Sequence, residues 1–127
     1  YHVYDLGELW HRFTGYTMTF ALWAVRKEVI SEHADLLREV HEAFLASKEK
    51  TRQNLIPLVD YVNGQLGGGK ELWYQYFRGL MHDFRDEHRT GLEYYYRCAA
   101  ELGLLPAPVT VSVWEHPGCQ SHITLTK

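Results

Sequence analysis

The sequence predicts an α/β chain that is mostly helical, with one strand buried on both faces and a tail of β character. Three observations carry this. Apolar residues recur at helical spacing through several segments between Ser31 and Leu105. The run after Gly15 is rich in β-branched and aromatic residues and turns apolar on both alternating faces from Phe20 onward. Near the end, Val109, Val111 and Val113 alternate with other residues at the period of a strand.

Each element follows from local signals. Leu6, Leu9, Trp10 and Phe13 lie at helical spacing, with Asp5 as the N-cap and Gly15 as the stop, so a short amphipathic helix opens the chain. Thr17, Thr19, Phe20, Trp23 and Val25 then favour a strand, bounded by Gly15 and by Arg26-Lys27. Its apolar faces predict that Phe20, Leu22 and Trp23 are mostly buried. Ser31 is read as the cap of the next helix, whose stripe is Leu37, Val40, Phe44 and Leu45. Pro57 marks a fresh helical start that ends near Asn63-Gly64, and another helix follows the glycines over Leu72, Tyr76 and Leu80. The last helix carries Leu92, Tyr95, Tyr96, Ala99 and Leu102, with Gly103 as its stop and Pro106 preventing continuation. Leu37, Val40, Phe44, Leu92, Tyr96 and Ala99 are expected to face a common core. The tail reads as a strand or a hairpin around Pro117-Gly118.

A single strand cannot make a sheet. Its hydrogen-bonding partners are expected from a missing N-terminal half, from the tail, or from another chain. The sequence begins at Tyr1 without a Met, which reads as the middle of a longer protein.

Composition narrows the function. The 127 residues suffice for one ordinary domain, and 46% hydrophobic with 23% charged residues places the chain among globular proteins. A net charge of −3 without a basic patch argues against nucleic acid as a partner, and the longest apolar run is too short to span a bilayer. Cys98 and Cys119 read as free thiols of a reducing compartment, which makes a cytoplasmic location the expectation.

Several patterns imitate functional motifs. Gly64, Gly69 and Lys70 match the G-x-x-x-x-G-K spacing of a phosphate-binding loop. Such a loop needs a Ser or Thr next for magnesium and a strand before it; here Glu71 follows and a helix precedes, so the segment is read as a flexible helix–helix connection. The histidines do not form a metal set. His82 and His88 are six apart, His33 and His41 eight apart, and His116, Cys119 and His122 lack a completing carboxylate. Cys98, beside Ala99 and Ala100, reads as a small core residue. The aromatic cluster of Trp73, Tyr74, Tyr76, Phe77 and Tyr94 to Tyr96 reads as helix packing.

Two blocks resemble a known family. "YDLGELWHRFTGYTMTFALWAVRK" resembles the pattern Asp-Leu-Gly-x-x-Trp, then Thr-Gly, then an apolar strand ending in Ala-x-Trp-Ala, of the chorismate dehydratases of the futalosine route to menaquinone. "YFRGLMHDFRDEHRTGLEYYYRCAAELGLLP" is similar to that family's C-terminal helices. A sister lyase acting on a cyclic futalosine shares the first elements, and Phe20, Ala21, Trp23 and Ala24 favour the dehydratase. The chain departs from the family at Thr17-Met18-Thr19, where a proline-led apolar run is usual, and in its tail.

The resemblance implies a type 2 periplasmic-binding-protein-like fold of two α/β lobes. Residues 1–16 would end the second lobe, 17–106 would supply the crossover strand and the C-terminal helices of the first, and 107–127 stay unassigned. It implies a hydro-lyase that removes water from chorismate, with no redox cofactor and no metal. The substrate needs two carboxylates held and one base near the ring proton. Thr17, Thr19 and Trp23 are the substrate-binding candidates, since they share one face of the crossover strand. Trp23 is either a cleft wall with a donating indole N–H or plain core packing. Asp5 reads as a helix cap and Glu8 as solvent-facing; the base is unidentified and expected outside this sequence. The chain alone is therefore expected not to dehydrate chorismate. The rival readings are a non-catalytic solute-binding or interaction module with the same fold, and an independent helical domain.

Overall fold

A computed structural model of the chain describes residues 1–115. Its elements, in order, are α1 (Leu6–Thr14), α2 (Lys27–Glu32), α3 (Ala34–Gln53), α4 (Ile56–Leu66), α5 (Lys70–Gly79) and α6 (Asp86–Glu101). Among the described residues there is no strand, and this corrects the α/β, periplasmic-binding-protein-like expectation. Residues 15–26 and 108–115 run without helix, yet neither pairs into a ladder. The physical reason is the one that makes a lone strand an incomplete object: strand hydrogen bonds close only against a second strand. The expected hairpin around Pro117-Gly118 and the His116, Cys119, His122 group lie outside the described residues.

Without a sheet among the described residues, the large apolar side chains of the run stay largely exposed. Phe20 is 80% exposed and Trp23 87%, and Leu22 is exposed as well, against the expectation that all three are covered. The described residues fall into two compact units, Tyr1–Trp23 with the residues from Phe84 onward, and Ala24–Asp83.

In the first unit, α1 is bounded as its sequence dictates. The Asp5 carboxylate accepts from the Glu8 backbone N–H at 2.9 Å, and Gly15 closes the helix in the left-handed region at φ 75°. The centre of the unit is α6. Its residues His88, Gly91 and Leu92 are buried, and Trp10 of α1 packs on Tyr94 and Tyr95 at 5.8 and 5.6 Å between ring centroids. The start of α6 is held by His88, whose Nδ1 accepts the Arg85 backbone N–H at 3.0 Å. After Glu101 the chain stops at Gly103, φ 72°, and the Leu104 N–H returns to the Ala99 carbonyl.

In the second unit, Ser31 does not cap a helix. It sits inside α2 and its hydroxyl donates to the Glu28 carbonyl at 3.0 Å, while α3 begins after a break at His33. α3 is paired with α2 and buries no residue; Val40 and Phe44 remain partly exposed. The stripes expected to share one core fall in different units: Leu37, Val40 and Phe44 belong to one, and Leu92, Tyr96 and Ala99 to the other. α4 starts with Pro57 in its first turn and packs on α5, and Val59 is its buried residue. Trp73, Tyr76 and Phe77 contact one another on α5. Lys48 of α3 is tied to Asp83 at 2.7 Å, half-buried at both ends.

Candidate functional site

The glycine-rich loop is the simplest feature to judge. Gly67, Gly68 and Gly69 all take positive φ, as a tight helix–helix connection requires. The Gly69 N–H donates to the Asn63 side-chain oxygen at 2.9 Å, and the Trp73 indole N–H donates to the Gly67 carbonyl. Lys70 is paired with Asp60 at 2.7 Å. The groups that would cradle a phosphate are turned to holding the loop itself, in agreement with its reading as a connection. No group of three or more His, Cys, Asp or Glu side chains suited to a metal ion occurs among the described residues.

A more consequential arrangement lies along α1. Asp5, Glu8 and His11 follow one another at i, i+3 and i+6 and share a helix face. After the Gly15 turn the chain runs back beside that face. Two local bonds guide the return: the Thr14 hydroxyl donates to the Trp10 carbonyl at 2.7 Å, and the Tyr16 N–H donates to the Thr14 hydroxyl at 3.1 Å. The result is a shallow hollow of about 340 Å³ lined by Asp5, Gly7, Glu8, His11, Thr17, Met18 and Phe20.

Two close approaches shape this hollow. A methyl group on Gly7 would sit 2.5 Å from Cζ of Phe20, so the exposed Phe20 ring approaches α1 closely where Gly7 has no side chain. A methyl group on the buried Gly91 of α6 would collide with the Thr17 carbonyl oxygen, so Thr17 is seated against α6 for the same reason. The sequence placed neither glycine in this role.

The polar side chains of the lining are two carboxylates, an imidazole and a hydroxyl. His11 Nδ1 lies 3.3 Å from the Tyr16 carbonyl oxygen. In the tautomer that carries its proton on Nδ1, this nitrogen donates to the carbonyl and Nε2 holds the lone pair. Asp5 is engaged as the cap of α1. Thr17 supplies a neutral hydroxyl, and no Lys or Arg lines the hollow.

The three substrate-binding candidates separate. Thr17 is exposed and lines the hollow. The Thr19 hydroxyl is buried without a hydrogen-bond partner, as is the Trp10 indole N–H. Trp23 is largely exposed and is not part of the hollow's lining. No sequence motif singles out His11; its only signal is the i, i+3, i+6 series on α1 followed by a glycine turn and a threonine.

Elsewhere in the same unit the Cys98 side chain hydrogen-bonds to the Tyr94 phenol and interacts with its charge, and together these push the phenol's pKa above its ordinary value. Cys98 is a free thiol. Among the described residues no helix is long and apolar enough to cross a membrane.

A family model described as menaquinone biosynthesis matches residues 1–101. No solved structure matches the chain.

Proposed function

The chain belongs to the menaquinone biosynthesis family, and from that premise we propose that its reaction is the dehydration of chorismate to 3-[(1-carboxyvinyl)oxy]benzoate. The observation that carries the finer reading is the pair of sequence elements Asp5-Leu6-Gly7-Glu8-Leu9-Trp10 and Phe20-Ala21-Leu22-Trp23-Ala24, which resemble the dehydratase more than the sister lyase. The hollow beside α1 joins the two elements in space, since Asp5, Gly7 and Glu8 come from the first and Phe20 from the second.

Loss of water from this substrate breaks one C–H bond and one C–O bond on adjacent ring carbons. A base takes the proton from the carbon bearing the enolpyruvyl ether. The released electron pair becomes a ring double bond, the hydroxyl leaves from the neighbouring carbon and is protonated to water, and the ring becomes aromatic. We assign the base to His11 Nε2, held in that tautomer by the Tyr16 carbonyl. Thr17 is the group beside it that donates to a substrate oxygen. The carboxylates of the substrate need further donors, because Asp5 and Glu8 repel them.

The test is a titration of the chain with chorismate and, separately, with cyclic futalosine, followed by NMR. Chorismate is expected to shift the His11 ring and Thr17 amide signals, and cyclic futalosine to leave them in place. Shifts from cyclic futalosine alone would move the assignment to the sister lyase. No shift from either would remove the hollow from consideration. In an assay of enol-ether production from chorismate, His11→Ala should lower the rate by about 100-fold or more, the scale of a lost general base.

A further inference from the structure

Four residues of the first unit close a circuit around the turn that ends α1. The Thr14 hydroxyl donates to the Trp10 carbonyl at 2.7 Å and accepts the Tyr16 backbone N–H at 3.1 Å. The Tyr16 ring stacks on Tyr94 of α6 at 4.4 Å between centroids, and the Tyr94 ring in turn meets the Trp10 ring at 5.8 Å. The path from Trp10 through Thr14, Tyr16 and Tyr94 therefore returns to Trp10. Inside it, the Gly15 N–H donates to the His11 carbonyl at 2.8 Å. Beyond it, the Thr17 backbone rests on Gly91 of α6. The peptide that joins Tyr16 to Thr17 is thus held on both sides, and its carbonyl oxygen lies 3.3 Å from His11 Nδ1.

We infer that Thr14 and the Tyr16–Tyr94 stack are positioning residues for His11: they hold the Tyr16 carbonyl where it selects the Nδ1–H tautomer and leaves the lone pair on Nε2. A carbonyl oxygen only accepts. It pairs with the ring when Nδ1 carries the proton and meets a second lone pair when Nδ1 is bare. An imidazole is set in one tautomer by the hydrogen bond of its other nitrogen, and here that bond comes from the chain's own turn, five residues on. Asp5 does not take this role, since its carboxylate accepts the Glu8 N–H. The functional weight of the device rests on the reading of His11 as the base; the tautomer itself does not.

Nitrogen NMR of the imidazole rings tests this on the whole chain, without substrate and at alkaline pH, where the ring is neutral. His11→Gln identifies the His11 signals. The unaltered chain is expected to hold His11 mainly in the Nδ1–H form. Thr14→Val, which keeps the side chain's shape and removes the hydroxyl, should lower the ratio of Nδ1–H to Nε2–H by about threefold or more, the scale of one net hydrogen bond. Thr14→Ser should keep the ratio. Tyr16→Ala, which removes the stack, should lower it, and Tyr16→Phe should not. A predominant Nε2–H form in the unaltered chain would overturn the inference, as would a loss in Thr14→Ser equal to that in Thr14→Val. If Thr14→Val melts α1, equal ratios in Tyr16→Ala and Tyr16→Phe would overturn it. Chorismate added afterwards separates the tautomer from the reaction. The Nδ1–H form without a response at His11 keeps the positioning and removes the reaction, and a response from the Nε2–H form does the reverse.

Discussion

The two longest helices, α3 with 20 residues and α6 with 16, begin from similar sequence patterns and end in different surroundings. Both carry an apolar stripe at helical spacing. α6 buries His88, Gly91 and Leu92, whereas α3 buries nothing. The difference lies in what each helix meets. α6 has a glycine where the Thr17 backbone comes in, and tyrosines that meet the Trp10 ring and the Tyr16 ring. α3 meets chiefly α2, a helix of six residues, too short to cover its stripe. A stripe thus states which side of a helix prefers to leave water; it does not supply the surface that covers it.

The largest expected effect is at Leu92, which is 7% exposed. Leu92→Ala should cost about 2–5 kcal/mol in a denaturant melt. Phe44→Ala on α3 removes a larger side chain that is 43% exposed, and should cost less than half as much because much of its surface is already in water. Equal losses at the two positions would dissolve the contrast between the helices.

Next in size is Gly91→Ala. The added methyl meets the Thr17 carbonyl, and overpacking of this kind costs about 1–3 kcal/mol, even after the gain in helix propensity of roughly 1 kcal/mol over glycine. Stabilisation by the substitution would mean that Thr17 is not seated on α6. The same variant should disturb the hollow of α1, since Thr17 lines it.

Asp5→Ala removes the side-chain cap of α1 and should cost about 1 kcal/mol. A variant as stable as the parent at neutral pH would show that the cap contributes nothing. The smallest effect is spectroscopic. Tyr94 should ionise at higher pH than an ordinary tyrosine, and Cys98→Ala should bring it back down, followed by phenolate absorbance. An unchanged titration in Cys98→Ala would assign the shift to another neighbour.

Much of the local architecture was legible from residues alone. Asp5 and Gly15 bound α1, Pro57 opens α4, and Gly103 closes the turn after α6. Such signals work because a helix closes its hydrogen bonds within four residues, so the information that starts or stops it lies close by. Ser31 shows the limit of that logic: a residue suited to a cap sits inside a helix when its hydroxyl finds a carbonyl one turn back.

The candidate site was legible only in part. Thr17, a substrate-binding candidate on the sequence, lines the hollow, whereas His11 enters it only because the Gly15 turn brings the returning chain beside α1. The run from Thr17 to Arg26 marks the boundary most clearly. Its residues by themselves determine an extended, apolar preference, and the backbone there is free of helix. Whether that preference becomes a strand is decided by tertiary structure alone, because a ladder needs a second backbone alongside, and none pairs with it among the described residues. In the same way Gly7 and Gly91 are ordinary helical glycines until Phe20 and the Thr17 carbonyl come to rest against them. Their identity is written in the chain, while the reason for it exists only where two distant segments touch.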